Sequence, residues 1–200
     1  MSIKSDPALY KSNFERNEND QYWTEPWVTR ALLNHINLDG SERIWEPAAG
    51  RGDIAKVLME TNYVYCTDID PHNAENINCY EADFINETMV DSDMDWIITN
   101  PPYINNASEK FVIAALEYGC RVAMLLRTEF ASAGGRDDLF CDEAGYAFEI
   151  KLTSRPRWDW WFRDKPKSSP RHNYSWFVWD KEWLDNNRIN TVYREGKPKK

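Results

Sequence analysis

Between residues 24 and 126 short apolar runs alternate with amphipathic stretches, and few folds accept that alternation. Thr24 to Asn37 puts Trp27, Val28, Ala31, Leu32 and Ile36 on one face of a helix, with Thr24 as its N-cap and Pro26 in its first turn. Arg43 to Pro47 predicts a short strand, Asp53 to Thr61 a second helix, and Tyr63 to Asp68 another strand. Asn78 to Asp83 gives a weaker strand signal. Asp95 to Thr99 predicts a short buried strand, Ser108 to Tyr118 a helix stopped by Gly119, and Arg121 to Leu126 a further buried strand. Such alternation implies an α/β fold built on a mostly parallel, doubly wound sheet. After Ala147 the pattern changes. Ala147 to Leu152 and Tyr174 to Trp179 read as strands with no helix between them, so an antiparallel strand pair is expected at the C-terminal end, with Trp176 and Trp179 in packing positions.

Two hundred residues suit one domain with one core. The expected division is a polar N-terminal arm over 1–20, a single domain over 21–186, and a basic tail over 187–200. No apolar run reaches the length of a membrane span, and the polar N-terminus lacks the apolar centre of a signal peptide. A cytoplasmic protein is expected, in the host cytoplasm if phage-encoded. The four cysteines form no CxxC pair and the three histidines do not cluster with them, so neither a metal site nor a disulfide framework is expected.

Net charge is −9, yet its distribution is uneven. Residues 1–150 carry 11 basic and 27 acidic side chains, a balance of −16, whereas 151–200 carry 13 and 6, a balance of +7. A basic end on an acidic body suggests a localised contact with a polyanion.

Two loops carry the chemistry. Glu46-Pro47-Ala48-Ala49-Gly50-Arg51-Gly52-Asp53 follows a strand and precedes a helix, where glycines let the backbone approach a nucleotide-like ligand. Asp68 follows Gly50 by 18 residues at the end of the next strand, the spacing of an acid that binds ribose hydroxyls. By letters alone Gly50, Gly52 and Ala55 also satisfy G-x-G-x-x-A, which leaves an NAD-dependent oxidoreductase open. The second loop is Asn100-Pro101-Pro102-Tyr103, directly after a buried strand. Two prolines fix the chain and remove two donors, leaving carbonyls free to accept. With the Asn100 amide oxygen beside them, they form acceptors suited to an –NH2 group, and Tyr103 offers a flat face for a planar base or amide.

Asn-Pro-Pro-Tyr with the upstream glycine loop and ribose-binding acid resembles the S-adenosylmethionine-dependent amino-methyltransferases, over roughly residues 20–130. The chain most resembles small, phage-type adenine-N6 DNA methyltransferases. The resemblance implies a Rossmann-like class I methyltransferase fold and S-adenosyl-L-methionine as cofactor. It further implies that Tyr22, Thr24 and Pro26 meet the methionine end of that cofactor. Glu46, Ala48, Gly50 and Gly52 would form the glycine-loop site. Asp68 would bind the ribose, Ile69 would flank the adenine ring, and Asp83-Phe84 would receive the adenine amino group. Asn100, Pro101, Pro102 and Tyr103 would be the catalytic segment, with Asn100 also bordering the cofactor. Asparagine at the motif's first position suits adenine-N6, cytosine-N4 and protein-glutamine acceptors alike.

Arg155 to Arg163 interleaves bases and aromatics, and Lys165, Lys167 and Arg171 follow, so residues 155–172 predict a loop that grips phosphates and stacks on unpaired bases. A target adenine must leave the duplex to be reached, and Trp158 is the expected second face of its stack. Arg157 and Arg127 are further candidates for substrate contact. These features favour nucleic acid as partner, DNA ahead of RNA. An RNA or protein-glutamine methyltransferase and a non-catalytic binding protein on the same scaffold stay open, as does the oligomeric state.

Overall fold

The computed structural model describes residues 23–86, 93–158, 172–183 and 191–198. Of the expected site residues, Tyr22, Lys165, Lys167 and Arg171 lie outside the described residues.

Helix α1 spans Pro26–Leu33, followed by strand β1 (Arg43–Glu46), helix α2 (Asp53–Leu58), β2 (Tyr63–Asp68), β3 (Cys79–Glu81) and β4 (Trp96–Thr99). Helix α3 (Ala107–Glu117) leads to β5 (Arg121–Arg127), β6 (Tyr146–Leu152), β7 (Tyr174–Trp179) and β8 (Thr191–Glu195). The strands form one sheet in the order β3-β2-β1-β4-β5-β7-β6-β8. β7 pairs antiparallel with both β5 and β6, and the other pairings are parallel. This is the mostly parallel sheet with a late antiparallel element that the sequence predicts. The reversed strand is β7 alone, inserted between β5 and β6.

Period-two alternation decides which residues face each layer. On one face, Ile44, Trp96, Ile98, Ala123, Leu125, Trp176 and Val178 pack beneath α1 and α2. On the other, Trp45, Ile97, Met124, Leu126, Phe177 and Trp179 meet Phe111, Val112 and Ala115 of α3. Every residue of β7 is buried, as an interior strand covered on both faces requires. The indole N–H of Trp176 donates to the Val28 carbonyl at 2.8 Å and so fixes α1 to the sheet.

Three expectations change. Helix α1 begins at Pro26 with Glu25, not Thr24, at its N-cap, and no side chain caps it. No α-helix links β2 to β3; a single 3-10 turn at Pro71–Asn73 does, because only ten residues separate the strands. Part of the stretch 187–200, expected as a tail, is strand β8, which runs parallel to β6 from Phe148↔Thr191 to Leu152↔Glu195. Tyr193 holds it, against Phe148 at 5.4 Å and the His35 ring at 4.2 Å, while Glu195 bonds His35 Nε2 at 2.9 Å. Among the described residues no helix is long and apolar enough to cross a membrane, and no group of His, Cys, Asp or Glu could hold a metal ion. All four cysteines are free thiols, with Cys66 buried and the other three partly so.

Candidate active site

The carboxyl ends of β1, β2 and β4 meet at one edge of the sheet, where chain reversals open a crevice. A cavity of about 240 Å³ lies there. Of the expected cofactor residues, Thr24, Glu46, Ala48, Gly50, Asp68, Ile69, Asp83, Phe84 and Asn100 line it, and so does Pro102 of the catalytic segment. The two motifs, half a domain apart in sequence, therefore border one cleft.

The glycine loop is shaped by its neighbours. Ala49 N–H continues the ladder onto the Thr67 carbonyl at 3.0 Å, and Gly50 N–H donates to Asp68 Oδ2 at 2.7 Å. Gly52 has φ +84° ahead of α2, and a Cβ there would overlap the Ile77 Cδ1. The positive φ calls for glycine, and any side chain there would also have to displace the Ile77 tip. Gly52 thus shapes the loop from below and does not line the cavity.

Glu46 is the electrostatic centre. Its side chain is 1% exposed, and the donors nearest its carboxyl, the Thr99 hydroxyl and the Asn100 backbone amide, make no well-aligned hydrogen bond to it. Burial pushes its carboxyl well above the ordinary range, and the nearby Asp68 pushes the same way. Asp68 is also raised by burial, although the Asp70 and Gly50 amides donate to it at 2.8 and 2.7 Å. Asp83 differs. It closes its own turn, accepting from Ile85 N–H at 3.1 Å and Asn86 Nδ2 at 2.7 Å, and these bonds hold its carboxyl below the usual range. A buried carboxyl with no well-aligned donor calls for one, and Glu46 presents that need to the cleft.

At the end of β4, Asn100 is held from two sides. Its Nδ2 donates to Thr24 Oγ1 at 3.1 Å, and the Tyr103 hydroxyl donates to its Oδ1. The same hydroxyl lies 3.0 Å from the Leu125 carbonyl. Ser108 Oγ donates to the Pro102 carbonyl at 2.8 Å, while among the described residues nothing donates to the carbonyl of buried Pro101.

Tyr103, whose hydroxyl reaches Asn100 of the first cleft, lines a neighbouring cavity of about 210 Å³ together with Arg127, Phe130 and Arg136. Arg127 sits over the Tyr103 ring at 5.7 Å, with its buried Nε lacking a hydrogen-bond partner. Arg136 is spoken for, bonded to Glu109 at 2.8 Å and stacked on Phe130 at 4.0 Å. Trp158 packs edge-on to buried Tyr174 at 4.9 Å, and Tyr174 lies 5.6 Å from Tyr103. Tyr103 and Trp158 thus flank one aromatic floor. The Arg157 amide donates to Glu25 Oε2 at 3.0 Å, and Lys197 Nζ holds the other oxygen of this buried carboxylate.

Pro26, expected at the cofactor, is exposed at the start of α1 and does not line the cleft. The extended residues before it, Trp23 and Thr24, cross the cleft mouth instead. Trp23 was not singled out from sequence; it stacks on the buried Arg51 guanidinium at 4.8 Å. Ile54, Ile85, Asn86 and Phe111 are further cleft residues that the motifs do not name. Phe111 had a signal, since it lies on the inward face of a helix that starts at the catalytic segment.

No protein-family model matches the sequence, and no curated protein does. Solved structures do match. A Listeria monocytogenes protein assigned to the class I S-adenosylmethionine-dependent methyltransferases superposes with a TM-score of 0.60 at 15% identity, over 90% of this chain and 67% of its own. The methyltransferase subunit of a Streptococcus thermophilus type I restriction-modification system gives 0.55 at 14%, over 90% of this chain but 48% of its own. An E. cuniculi enzyme that methylates a translation termination factor gives 0.55 at 16%, over 84% and 98%. This chain has the class I methyltransferase fold. At these identities the likeness is one of architecture, so chemistry must be argued from the cleft.

Proposed function

We propose that this chain is an S-adenosylmethionine-dependent N-methyltransferase that acts on the N6 amino group of adenine in nucleic acid, with DNA favoured. The observation that carries the reading is the single cleft bordered by the buried Glu46 carboxyl, the Asp68 carboxylate and the Asn100 amide. The bound cofactor would supply an electrophilic methyl on a sulfonium together with an ammonium, ribose hydroxyls and an adenine ring. Glu46 answers the ammonium, Asp68 the hydroxyls, and Phe84 with Ile69 the ring. Asp83, Thr24, Ala48 and Gly50 complete the cradle, and Gly52 shapes the loop beneath it. A hydride-transfer enzyme would use the glycine loop and Asp68 but leave Asn100–Tyr103 idle.

The chain's part in the reaction is to position and to accept protons' hydrogen bonds. An aromatic amino nitrogen holds its lone pair in the ring. Asn100 Oδ1 and the open Pro101 carbonyl accept from its two hydrogens and favour a tetrahedral, nucleophilic nitrogen. The Tyr103 hydroxyl occupies Oδ1 in the resting cleft and has the Leu125 carbonyl as its alternative acceptor, so it can yield Oδ1 to the amino group. Pro102 keeps the loop rigid. The target base enters from the side of Tyr103, Arg127 and Trp158, and Arg157 with Lys165, Lys167 and Arg171 holds the surrounding phosphates.

Incubation with tritiated cofactor and separate DNA, RNA and protein pools tests the reading, with mass spectrometry naming the methylated atom. N6-methyladenine in DNA is expected; label only on glutamine would move the acceptor to protein. Asn100→Ala should keep cofactor binding while transfer drops at least a hundredfold, about the loss seen when one stabilising polar group is removed from a reacting centre. Near-normal transfer by that variant would remove Asn100 from the mechanism.

A further inference from the structure

An asparagine serves as an acceptor only while its amide is turned the right way. Rotation about its last bond exchanges oxygen for nitrogen at little cost in shape, so an isolated amide presents a donor as readily as an acceptor. At Asn100 the side chain is held in place by a residue 76 positions away. Thr24 is 3% exposed, lies in the extended segment before α1, and accepts from Asn100 Nδ2 at 3.1 Å. The role of helix cap belongs to Glu25, and among the described residues the Thr24 hydroxyl has no other hydrogen bond.

We infer that Thr24 is a positioning residue that tethers the Asn100 amide at the end of β4 and so holds the side chain where an acceptor is needed. The inference rests on the methyltransferase reading for what the amide acts upon, but the anchoring does not. Thr24 also borders the cofactor cleft, so one side chain serves both the cradle and the catalytic amide. Valine has nearly the same shape without the hydroxyl, and serine keeps the hydroxyl without the methyl. The pair therefore separates anchoring from packing.

The test uses protein labelled with ¹⁵N on asparagine alone, with the Asn100 side-chain pair identified by its loss in Asn100→Asp. Solvent exchange of the Asn100 Nδ2 protons is measured free and with S-adenosylhomocysteine. Thr24→Val should accelerate exchange on the order of tenfold, the ratio set by one lost hydrogen bond, while Thr24→Ser keeps the wild-type rate. Unchanged exchange in Thr24→Val overturns the inference. Equal acceleration in Thr24→Val and Thr24→Ser also overturns it, since that marks a loosened cleft. In tritium transfer to DNA, kcat should fall on the order of tenfold in Thr24→Val with KM for DNA unchanged, and return in Thr24→Ser. Absence of transfer by the wild-type protein to DNA, RNA and protein alike would refute the methyltransferase reading, while the exchange rates would still decide the role of Thr24.

Discussion

Replacing Glu46 with glutamine should make the protein more stable and its cofactor binding weaker. The side chain is 1% exposed, neither oxygen has a well-aligned donor, and burial together with Asp68 outweighs the nearby Thr99 hydroxyl and Asn100 amide and holds its carboxyl well above the ordinary range. An unsatisfied buried polar group costs about 1–3 kcal/mol, and more when charged. Glutamine keeps the volume and removes the charge, so the empty protein should gain about 1–3 kcal/mol, or about 2–10 °C in Tm for a domain of this size. In the complex the opposite holds. A charge-assisted hydrogen bond contributes about 1.5–3 kcal/mol, so the Kd for S-adenosylhomocysteine should rise about 10- to 100-fold. The pH dependence has a definite sign. Because the folded value is raised, the folded state keeps a proton that the unfolded chain has released above about 4.3, and wild-type stability falls as pH climbs through the window from there to the folded value. The stability advantage of Glu46→Gln should therefore vanish below that window and grow across it. Urea unfolding from pH 4 to 8 and calorimetry with S-adenosylhomocysteine measure both arms. A variant that is less stable at pH 7, or that binds as tightly as wild type, would refute this account of Glu46.

Two other perturbations read different parts of the molecule. Gly50 and Gly52 both have positive φ, but a Cβ at Gly50 meets nothing within 4 Å whereas one at Gly52 overlaps Ile77. Urea unfolding should therefore show Gly50→Ala costing about 1 kcal/mol and Gly52→Ala about 2–4 kcal/mol. Replacing Lys165, Lys167 and Arg171 together with alanine should weaken DNA binding and reduce the slope of log K against log salt by about 2–3, measured by fluorescence anisotropy across salt.

The sequence discloses the parts of this molecule that are written over short distances. Strand β7 is legible because Tyr174–Trp179 is apolar at every position but Ser175, and the two loops are legible because glycine permits and proline imposes unusual backbone where they stand. Contacts made across the chain are not legible. Nothing near Thr24 announces that its hydroxyl meets Asn100, and the local motif reads it as a helix cap instead. Asp83 looks like a free acceptor until its own turn is seen to occupy both oxygens. Strand β8 hides among charged residues, since an edge strand needs only one inward side chain, here Tyr193, to dock. The placement of Pro26 shows the same limit: a motif position marks a neighbourhood, and the path of the backbone decides which of its residues turns inward.

The buried Glu25 carboxylate joins residues 157 and 197, the second of them 172 positions downstream. During synthesis at about 5–20 residues per second, the amino-terminal lip of the cleft would wait on the order of ten seconds or more for the lysine that fastens it. The doorway is therefore finished last. An emerging chain would hold its central strands long before it could hold a ligand, and a bulky fusion placed just after residue 197 would stand at the entrance.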